Sequence, residues 1–137
     1  MKVTISRKAH FNAAHRLYRK DWSFEKNESV FGKCNSPNFH GHNYELIVSV
    51  TGNIDNDTGY VMDIKQLAEI IKQEVEVPFD HKNLNLDVPE FENLNPTAEN
   101  IAVIIWNKIR LRLKEAHALE VTLYETPRNF VSYNGDQ

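Results

Sequence analysis

Three histidines at the ends of two alternating segments constrain this chain more than any other feature. His40 and His42 are two residues apart at the start of one such segment, so on an extended backbone their imidazoles point to the same side. His15 ends an earlier segment of the same kind, Ala9–His15. Three neutral imidazoles that meet at one point form a zinc site with an open fourth position, the layout of a catalytic rather than a structural zinc. The sequence therefore predicts a sheet in which two strands bring these histidines together.

The alternation of apolar and polar residues predicts a β-β-α-α-β-β order. In the first strand, His15 falls on the same side as Phe11 and Ala13, provided that no bulge intervenes. Asp63 and the Asn95–Thr97 segment carry the start signals of the two helices. The predicted strands are 2–15, about 42–52, Leu119–Thr126 and Phe130–Tyr133, and the predicted helices run from Asp63 to about Glu76 and from Pro96 to about Ala116. Residues 16–39 and 79–95 are expected to be long polar connections.

These elements predict an α+β fold in which two helices cover one face of a four-stranded antiparallel sheet. No repeat or linker divides the 137 residues, so we expect one domain over 1–137. Such a sheet has two uncovered edges and one uncovered face. An oligomer would cover the edges as well as the face.

Charge and composition exclude several classes of function. The formal net charge of −3 provides no basic field for a nucleic-acid partner. The single cysteine, Cys34, permits no internal disulfide, which favours a reducing compartment. The sequence shows no signal peptide and no apolar run long enough to span a bilayer. We therefore expect a cytoplasmic protein without a membrane partner.

Cys34 precedes the histidine pair and has three possible roles. It is a small buried residue, a thiolate that removes a proton, or a fourth zinc ligand. As a fourth ligand it would close the site and make the zinc structural.

Other polar residues stand where a site would need them. Asp80 and His81 form an acid–imidazole pair that, with Cys34, would complete a Cys/His/Asp relay. Glu125 continues an apolar strand face, and a carboxylate there either is exposed at the strand end or binds the NH-rich edge of a planar heterocycle. Thr97 and Glu99, at the start of the second helix, are expected to cap it, and contact with a ligand is the alternative role.

Five segments match a known family in order and over essentially the whole chain. They resemble the 6-pyruvoyl-tetrahydropterin synthase family, and the cysteine followed after five residues by His-x-His is highly specific when it occurs with the later Asp-His and Glu-Thr pairs. The segments are Phe11–Leu17, Gly32–Cys34 with His40–Tyr44 after the five-residue interval, Asp80–Leu84, Pro96–Asn100 and Tyr124–Thr126.

The resemblance implies a tunnelling fold (T-fold) whose subunits form trimers, two of which stack as a homohexamer with active sites at subunit interfaces. It implies zinc on His15, His40 and His42. It also implies a proton-transfer set, Cys34, Asp80 and His81, and a pterin site, Glu125 with Thr97 and Glu99 nearby.

The implied reaction is a lyase step of tetrahydrobiopterin biosynthesis, in which 7,8-dihydroneopterin triphosphate loses triphosphate and becomes 6-pyruvoyl-tetrahydropterin. Zinc acts as a Lewis acid on the side-chain hydroxyls and Cys34 takes a proton. Redox is internal to the substrate, which agrees with the absence of a dinucleotide fingerprint. Candidate cations for the triphosphate are Arg16, Lys26 and Lys33.

Two alternatives remain at this point. The related 6-carboxytetrahydropterin synthase of queuosine biosynthesis uses the same ligands and substrate but also releases acetaldehyde. Its cysteine typically lies closer to the His-x-His pair, so the five-residue interval here favours the pyruvoyl-forming enzyme. A protein that only binds pterin, or that uses zinc only to stabilise an assembly, is the alternative from another class. One departure from the family is Ala98, where a second hydroxyl is common.

Overall fold

Two fourteen-residue strands form the frame of the molecule, for which the computed structural model describes residues 1–136. Strands β1 (Lys2–His15) and β2 (His40–Asn53) pair antiparallel, one residue to one, from Lys2 opposite Asn53 to His15 opposite His40. This pairing contains no bulge, so the period of two holds to the end of β1. The face predicted for His15 is therefore confirmed: Phe11, Ala13 and His15 are all buried.

The remaining elements complete an α+β fold, as predicted. In chain order after β1 the elements are α1 (Phe24–Phe31), β2, α2 (Ile64–Ile71), α3 (Val77–Phe79), β3 (Lys82–Asn83), α4 (Leu84–Asp87), α5 (Ala98–Arg110), β4 (Ala118–Tyr124) and β5 (Phe130–Tyr133). The strands form a five-stranded sheet in the order β3-β1-β2-β4-β5, with antiparallel pairs throughout except for β3, which is parallel to β1. The extra strand β3 has two residues, too few to show a periodic pattern.

The two predicted helices are present, with different ends. The Asp63 side chain accepts from the Lys65 backbone N–H at 2.9 Å and begins α2, and a π-helical segment, Lys72–Glu76, joins α2 to α3 without a gap. Helix α5 ends at Arg110 rather than near Ala116. Beyond this end, the Arg110 guanidinium donates to the carbonyl oxygens of Lys114 and His117, which ties the segment before β4 to the end of the helix.

The prediction of an irregular connection over 16–39 was wrong in part. Ser23 caps α1 by accepting from the Lys26 backbone N–H, and a 3₁₀ turn, Gly32–Asn35, follows. Helix α1 buries only Asn27, so it has no apolar stripe for a periodicity argument to detect. The segment 79–95 likewise contains β3, α4 and a 3₁₀ turn, Pro89–Phe91.

The core lies between the helices and one face of the sheet. Its largest fully buried side chains include Tyr44, Phe11 and Phe79. The Phe11 and Tyr44 rings stack with centroids 4.9 Å apart, next to the histidine end of β1 and β2. Buried apolar contacts of this kind supply most of the stability of the fold. None of the helices within residues 1–136 combines the length and apolar character needed to cross a membrane.

Candidate active site

The three predicted histidines meet at one end of the β1–β2 ribbon. His15 lies opposite His40 in the strand register, and His42 lies opposite Ala13. One ring nitrogen of each histidine lies within 4.8 Å of the others. The ring centroid of His15 is 4.6 Å from that of His40 and 5.0 Å from that of His42. The register of two strands is therefore sufficient to gather three potential metal ligands.

Two oxygen atoms contact Nδ1 of the His15 ring. Its Nδ1 lies 2.8 Å from the Pro96 carbonyl oxygen and 3.2 Å from the Tyr44 hydroxyl oxygen. A carbonyl only accepts, so the hydrogen bond requires the proton on Nδ1 and leaves Nε2 with a lone pair. Such an outer partner orients a metal-binding imidazole and makes it more basic.

Burial favours the neutral imidazole at His15 and His40. The pKa of His15 is lowered from an ordinary 6.5 to about 4, chiefly by burial and in smaller part by the nearby His40 and His42, although the hydrogen bond to Pro96 opposes this. The pKa of His40 is also lowered, first by burial and then by His42. Neutral imidazoles are the form that binds a metal ion.

Three buried nitrogens in the cluster have no hydrogen-bond partner among the described residues: His15 Nε2, His40 Nδ1 and His42 Nε2. A buried polar atom without a partner costs free energy, on the order of 1–3 kcal/mol each. A metal ion would satisfy all three at once. The residues present therefore fit a metal centre with three protein ligands.

A cavity of about 390 Å³ is lined by the residues predicted for the planar ligand. Glu125 follows β4, and its Oε1 is 3.9 Å from Nε2 of His42, which places the carboxylate beside the histidine cluster. Thr97 caps α5 by accepting from the Asn100 backbone N–H at 3.2 Å. Thr97, Glu99 and Glu125 line the cavity together, so the structure brings all three predicted substrate residues to one place.

Asp80 and His81 form the predicted acid–imidazole pair, with Asp80 Oδ2 2.9 Å from His81 Nδ1. Asp80 Oδ1 accepts from the Asn12 backbone N–H, and this bond, followed by the contact with His81, lowers the pKa of Asp80. His81 has φ 61°, a left-handed conformation that is unfavourable for a non-glycine residue and often occurs at functional sites. The pair is exposed to solvent at the edge of the sheet.

A second cavity, of about 530 Å³, adjoins this pair, and its lining includes Asn12, His42, His81 and Lys82. The pair is thus near the histidine cluster but outside the cavity of Glu125.

Cys34 lies in the 3₁₀ turn that follows α1 and is half-buried. Its carbonyl oxygen accepts from the Leu17 backbone N–H at 2.8 Å, two residues after His15. In residues 1–136 its thiol makes no hydrogen bond, and neither of the two cavities is lined by it. The single chain therefore does not join Cys34 to Asp80 and His81.

The three candidate cations differ in their surroundings. The Arg16 guanidinium donates to Asn35 and lies 3.9 Å from the Tyr18 ring centroid. Lys26 Nζ lies 4.1 Å from the centroid of the Trp22 ring. Lys33 is exposed, and its side chain has no partner in the described part of the chain. Among the three candidate cations, Lys33 is therefore the one whose side-chain ammonium group has no hydrogen-bond or ion-pair partner in the described part of the chain.

Sequence reasoning missed three residues of this region. Pro96 and Tyr44 hold His15, and Arg128 lines the cavity of Glu125. Tyr44 shares a strand face with His40 and His42, so the alternation along this strand could have indicated it. The contact between His15 and Pro96 spans 81 positions of sequence, and no local pattern indicates it.

The fold and the site define an α+β protein in which a three-histidine cluster able to hold a metal ion lies beside a cavity. The family model for 6-pyruvoyl tetrahydropterin synthase matches residues 4–136. The chain belongs to that family, and the resemblance stated from its sequence motifs is confirmed.

Characterised relatives share nearly the full length of the chain. It is 46% identical over 135 residues to human 6-pyruvoyl tetrahydrobiopterin synthase, covering 98% of this chain and 93% of the human protein. It is 46% identical over 132 residues to the Drosophila melanogaster protein of the same name, covering 96% and 79%. The solved structure of Caenorhabditis elegans 6-pyruvoyl tetrahydropterin synthase superposes with a TM-score of 0.93 at 36% identity, covering 99% of this chain and 97% of that one. The predicted tunnelling fold is thereby confirmed.

Proposed function

We propose that the protein is a lyase that converts 7,8-dihydroneopterin triphosphate to 6-pyruvoyl-tetrahydropterin and triphosphate. The observation that carries the proposal is the three-histidine cluster beside a cavity lined by Glu125, Thr97 and Glu99. The relatives described above bear the name of this activity, and none of them favours the carboxy-forming reaction of queuosine biosynthesis.

The metal in this proposal is zinc, held by His15, His40 and His42. Three imidazoles with a free fourth position are typical of catalytic zinc. When bound, zinc supplies Lewis-acid polarisation of the substrate's side-chain hydroxyls and favours loss of their protons. Chelation followed by reloading with single metals, with metal content and turnover measured together, tests this choice.

The protein groups then have separate tasks. Glu125 accepts hydrogen bonds from the NH-rich edge of the pterin, where a carboxylate can form two parallel bonds. Cys34 as thiolate accepts a substrate proton, and His81, oriented by Asp80 at 2.9 Å, returns one. The exposed Lys33 side chain supplies positive charge to the triphosphate.

The proposed assembly is a homohexamer, a dimer of trimers. Two observations support an oligomer: within residues 1–136 the outer edge of β5 pairs with no strand, and its Phe130 is 56% exposed. An unpaired, apolar strand edge is normally covered. An interface would also allow His81 of one subunit to serve Cys34 of another, which the single chain does not do. Light scattering after size exclusion measures the subunit number, and a monomer would refute the assembly.

Product analysis tests the reaction. Zinc-loaded protein is incubated with 7,8-dihydroneopterin triphosphate, and triphosphate and acetaldehyde are both measured. Triphosphate without acetaldehyde supports the proposal, whereas acetaldehyde in equal amount identifies the carboxy-forming enzyme instead. Absence of both products would favour a protein that only binds pterin or zinc.

A Cys34→Ala variant distinguishes catalysis from background release. It should retain zinc while turnover falls by roughly 10²–10⁴-fold, as expected for the loss of an acid–base group. Full activity in this variant would remove Cys34 from the mechanism.

A further inference from the structure

Asn35 is a buried polar residue to which the proposed mechanism gives no task. Within residues 1–136 the buried polar side chains are those of His15, Asn27 and Asn35. The carboxamide oxygen of Asn35 accepts from Nε and Nη2 of Arg16 at 3.2 and 3.0 Å, and its carboxamide nitrogen donates to Glu28 Oε1 at 2.9 Å. Its backbone oxygen accepts from Arg16 Nε at 2.9 Å. Both ends of this side chain are thus fixed by charged groups.

These contacts join the cysteine segment, Gly32–Asn35, to the end of β1. Arg16 directly follows His15, and Leu17 donates its backbone N–H to the carbonyl oxygen of Cys34. The Arg16 backbone is itself held by Asn85, which accepts from its N–H at 2.8 Å and donates to its carbonyl at 3.0 Å. The position of Cys34 is therefore tied to that of His15.

We propose that Asn35 is a positioning residue that holds the thiol of Cys34 at a fixed place relative to the three-histidine centre. This proposal rests on the proposed function, in which Cys34 accepts the proton. Proton transfer requires the two heavy atoms to be within hydrogen-bond reach, and a displacement of about 1 Å can cost on the order of 10²-fold in rate. Asn35 is next to Cys34 in the chain and 0% exposed, so loss of its carboxamide contacts would release the backbone that carries the cysteine.

The arrangement also gives Arg16 a structural task. Its guanidinium is engaged by Asn35 and by the Tyr18 ring. Arg16 thus acts through Asn35 on Cys34 rather than through the triphosphate.

The chain offers a matched control in Asn27. This asparagine is also buried, and it makes comparable hydrogen bonds to Arg19 and Ser23. None of those bonds reaches the cysteine segment. Asn27→Ala and Asn35→Ala therefore remove similar structure, but only the second releases Cys34.

The first test measures kinetics of the zinc-loaded variants per folded molecule. Asn35→Ala should lower kcat by roughly tenfold or more, with KM and zinc content within about twofold of the unsubstituted protein. Asn27→Ala should lower stability but leave kcat unchanged. If both variants lose kcat equally, the effect is general loss of structure and the proposal is wrong.

The second test does not depend on turnover. Because the chain has one cysteine, the rate of alkylation by iodoacetamide reports on Cys34 alone. In metal-free protein, Asn35→Ala should be alkylated several-fold faster, since a released half-buried thiol becomes accessible, and Asn27→Ala should match the unsubstituted protein. Equal alkylation rates in all three proteins would overturn the proposal.

Glu28 provides variants at an exposed position, in case Asn35→Ala fails to fold. Glu28→Gln keeps an oxygen that accepts from Asn35 and should behave as the unsubstituted protein, whereas Glu28→Ala should change kcat and alkylation in the direction of Asn35→Ala. The absence of any difference between the two variants would count against the proposal.

Failure of the proposed function and failure of the positioning proposal are distinguishable. Full turnover by Cys34→Ala would refute the role of Cys34 in the reaction, whereas equal alkylation rates would refute only its positioning by Asn35.

Discussion

Nδ1 of His15 lies 2.8 Å from the carbonyl oxygen of Pro96, although the two residues are 81 positions apart in sequence. The bond fixes which ring nitrogen carries the proton and directs Nε2 toward His40 and His42. Pro96 also immediately precedes Thr97, which lines the cavity of Glu125. One backbone carbonyl therefore connects the orientation of His15 in the histidine cluster to the wall of the cavity.

Tyr44→Phe tests the second oxygen that faces Nδ1. The change removes the hydroxyl 3.2 Å from His15 but keeps the buried ring that stacks on Phe11. Outer partners of metal ligands typically contribute 10–100-fold to metal affinity, and Pro96 remains, so we expect a loss of roughly tenfold, measured by competition with a zinc chelator. Tyr60→Phe, at a residue that is 55% exposed, is the control. Equal affinity in both variants would show that Tyr44 does not support the ligand.

His42→Ala tests the ligand set directly. His42 contributes one of the three unpartnered ring nitrogens, and two imidazoles alone bind zinc weakly. We expect the purified variant to lose stoichiometric zinc, measured by elemental analysis, whereas His10→Ala, at an exposed position, retains it. Retention of one zinc per chain by His42→Ala would remove His42 from the ligand set.

The sequence predicts that the three histidines cluster, but it does not predict where Cys34 lies relative to Asp80 and His81, for a physical reason. His15, His40 and His42 lie on two strands whose period of two is exact when no bulge occurs. Cys34 follows a helix, α1, that buries only Asn27 and left no periodic signal. Its position depends on the hydrogen bond that its carbonyl accepts from Leu17 and on the bonds that the neighbouring Asn35 accepts from Arg16, which no local pattern specifies.

The edge of the sheet shows the same limit. The Asp80–His81 pair is visible in the sequence, but β3 has only two residues, and it is placed by pairing with Ala13 and Ala14 of β1. Contacts between such distant segments depend on tertiary structure. The resemblance to the family predicts that Glu125, Thr97 and Glu99 share one site. The periodicity of the sequence does not predict this.

Glu125→Gln tests recognition of the pterin edge. The amide keeps one acceptor oxygen but replaces the second with a donor, which would face the N–H groups of the ligand. We expect kcat/KM to fall by roughly 10²-fold, mainly through KM, because an unpaired buried polar contact costs about 1–3 kcal/mol. Zinc content should not change. Glu120→Gln, at an exposed position on β4, is the control, and an equal kcat/KM in the two variants would contradict the role of Glu125.

Acid should destabilise the metal-free protein through His15. Its pKa is about 4 in the folded chain against an ordinary 6.5, so between these values the unfolded chain binds a proton that the folded chain does not. The free energy of unfolding therefore rises with pH across this window and falls as the pH drops from 6.5 to about 4. The full contribution is on the order of 3 kcal/mol, and the lowered pKa of His40 adds to it in the same direction.

Urea unfolding of metal-free protein at several pH values measures this contribution. His15→Gln removes the titrating group and should flatten the pH dependence, whereas His10→Gln, at an exposed position on the opposite face of β1, should leave it unchanged. Bound zinc should make the dependence steeper, because protons compete with the metal for the same nitrogens. If His15→Gln and the unsubstituted protein lose stability equally between pH 6.5 and about 4, then His15 is not the buried neutral group that the geometry requires.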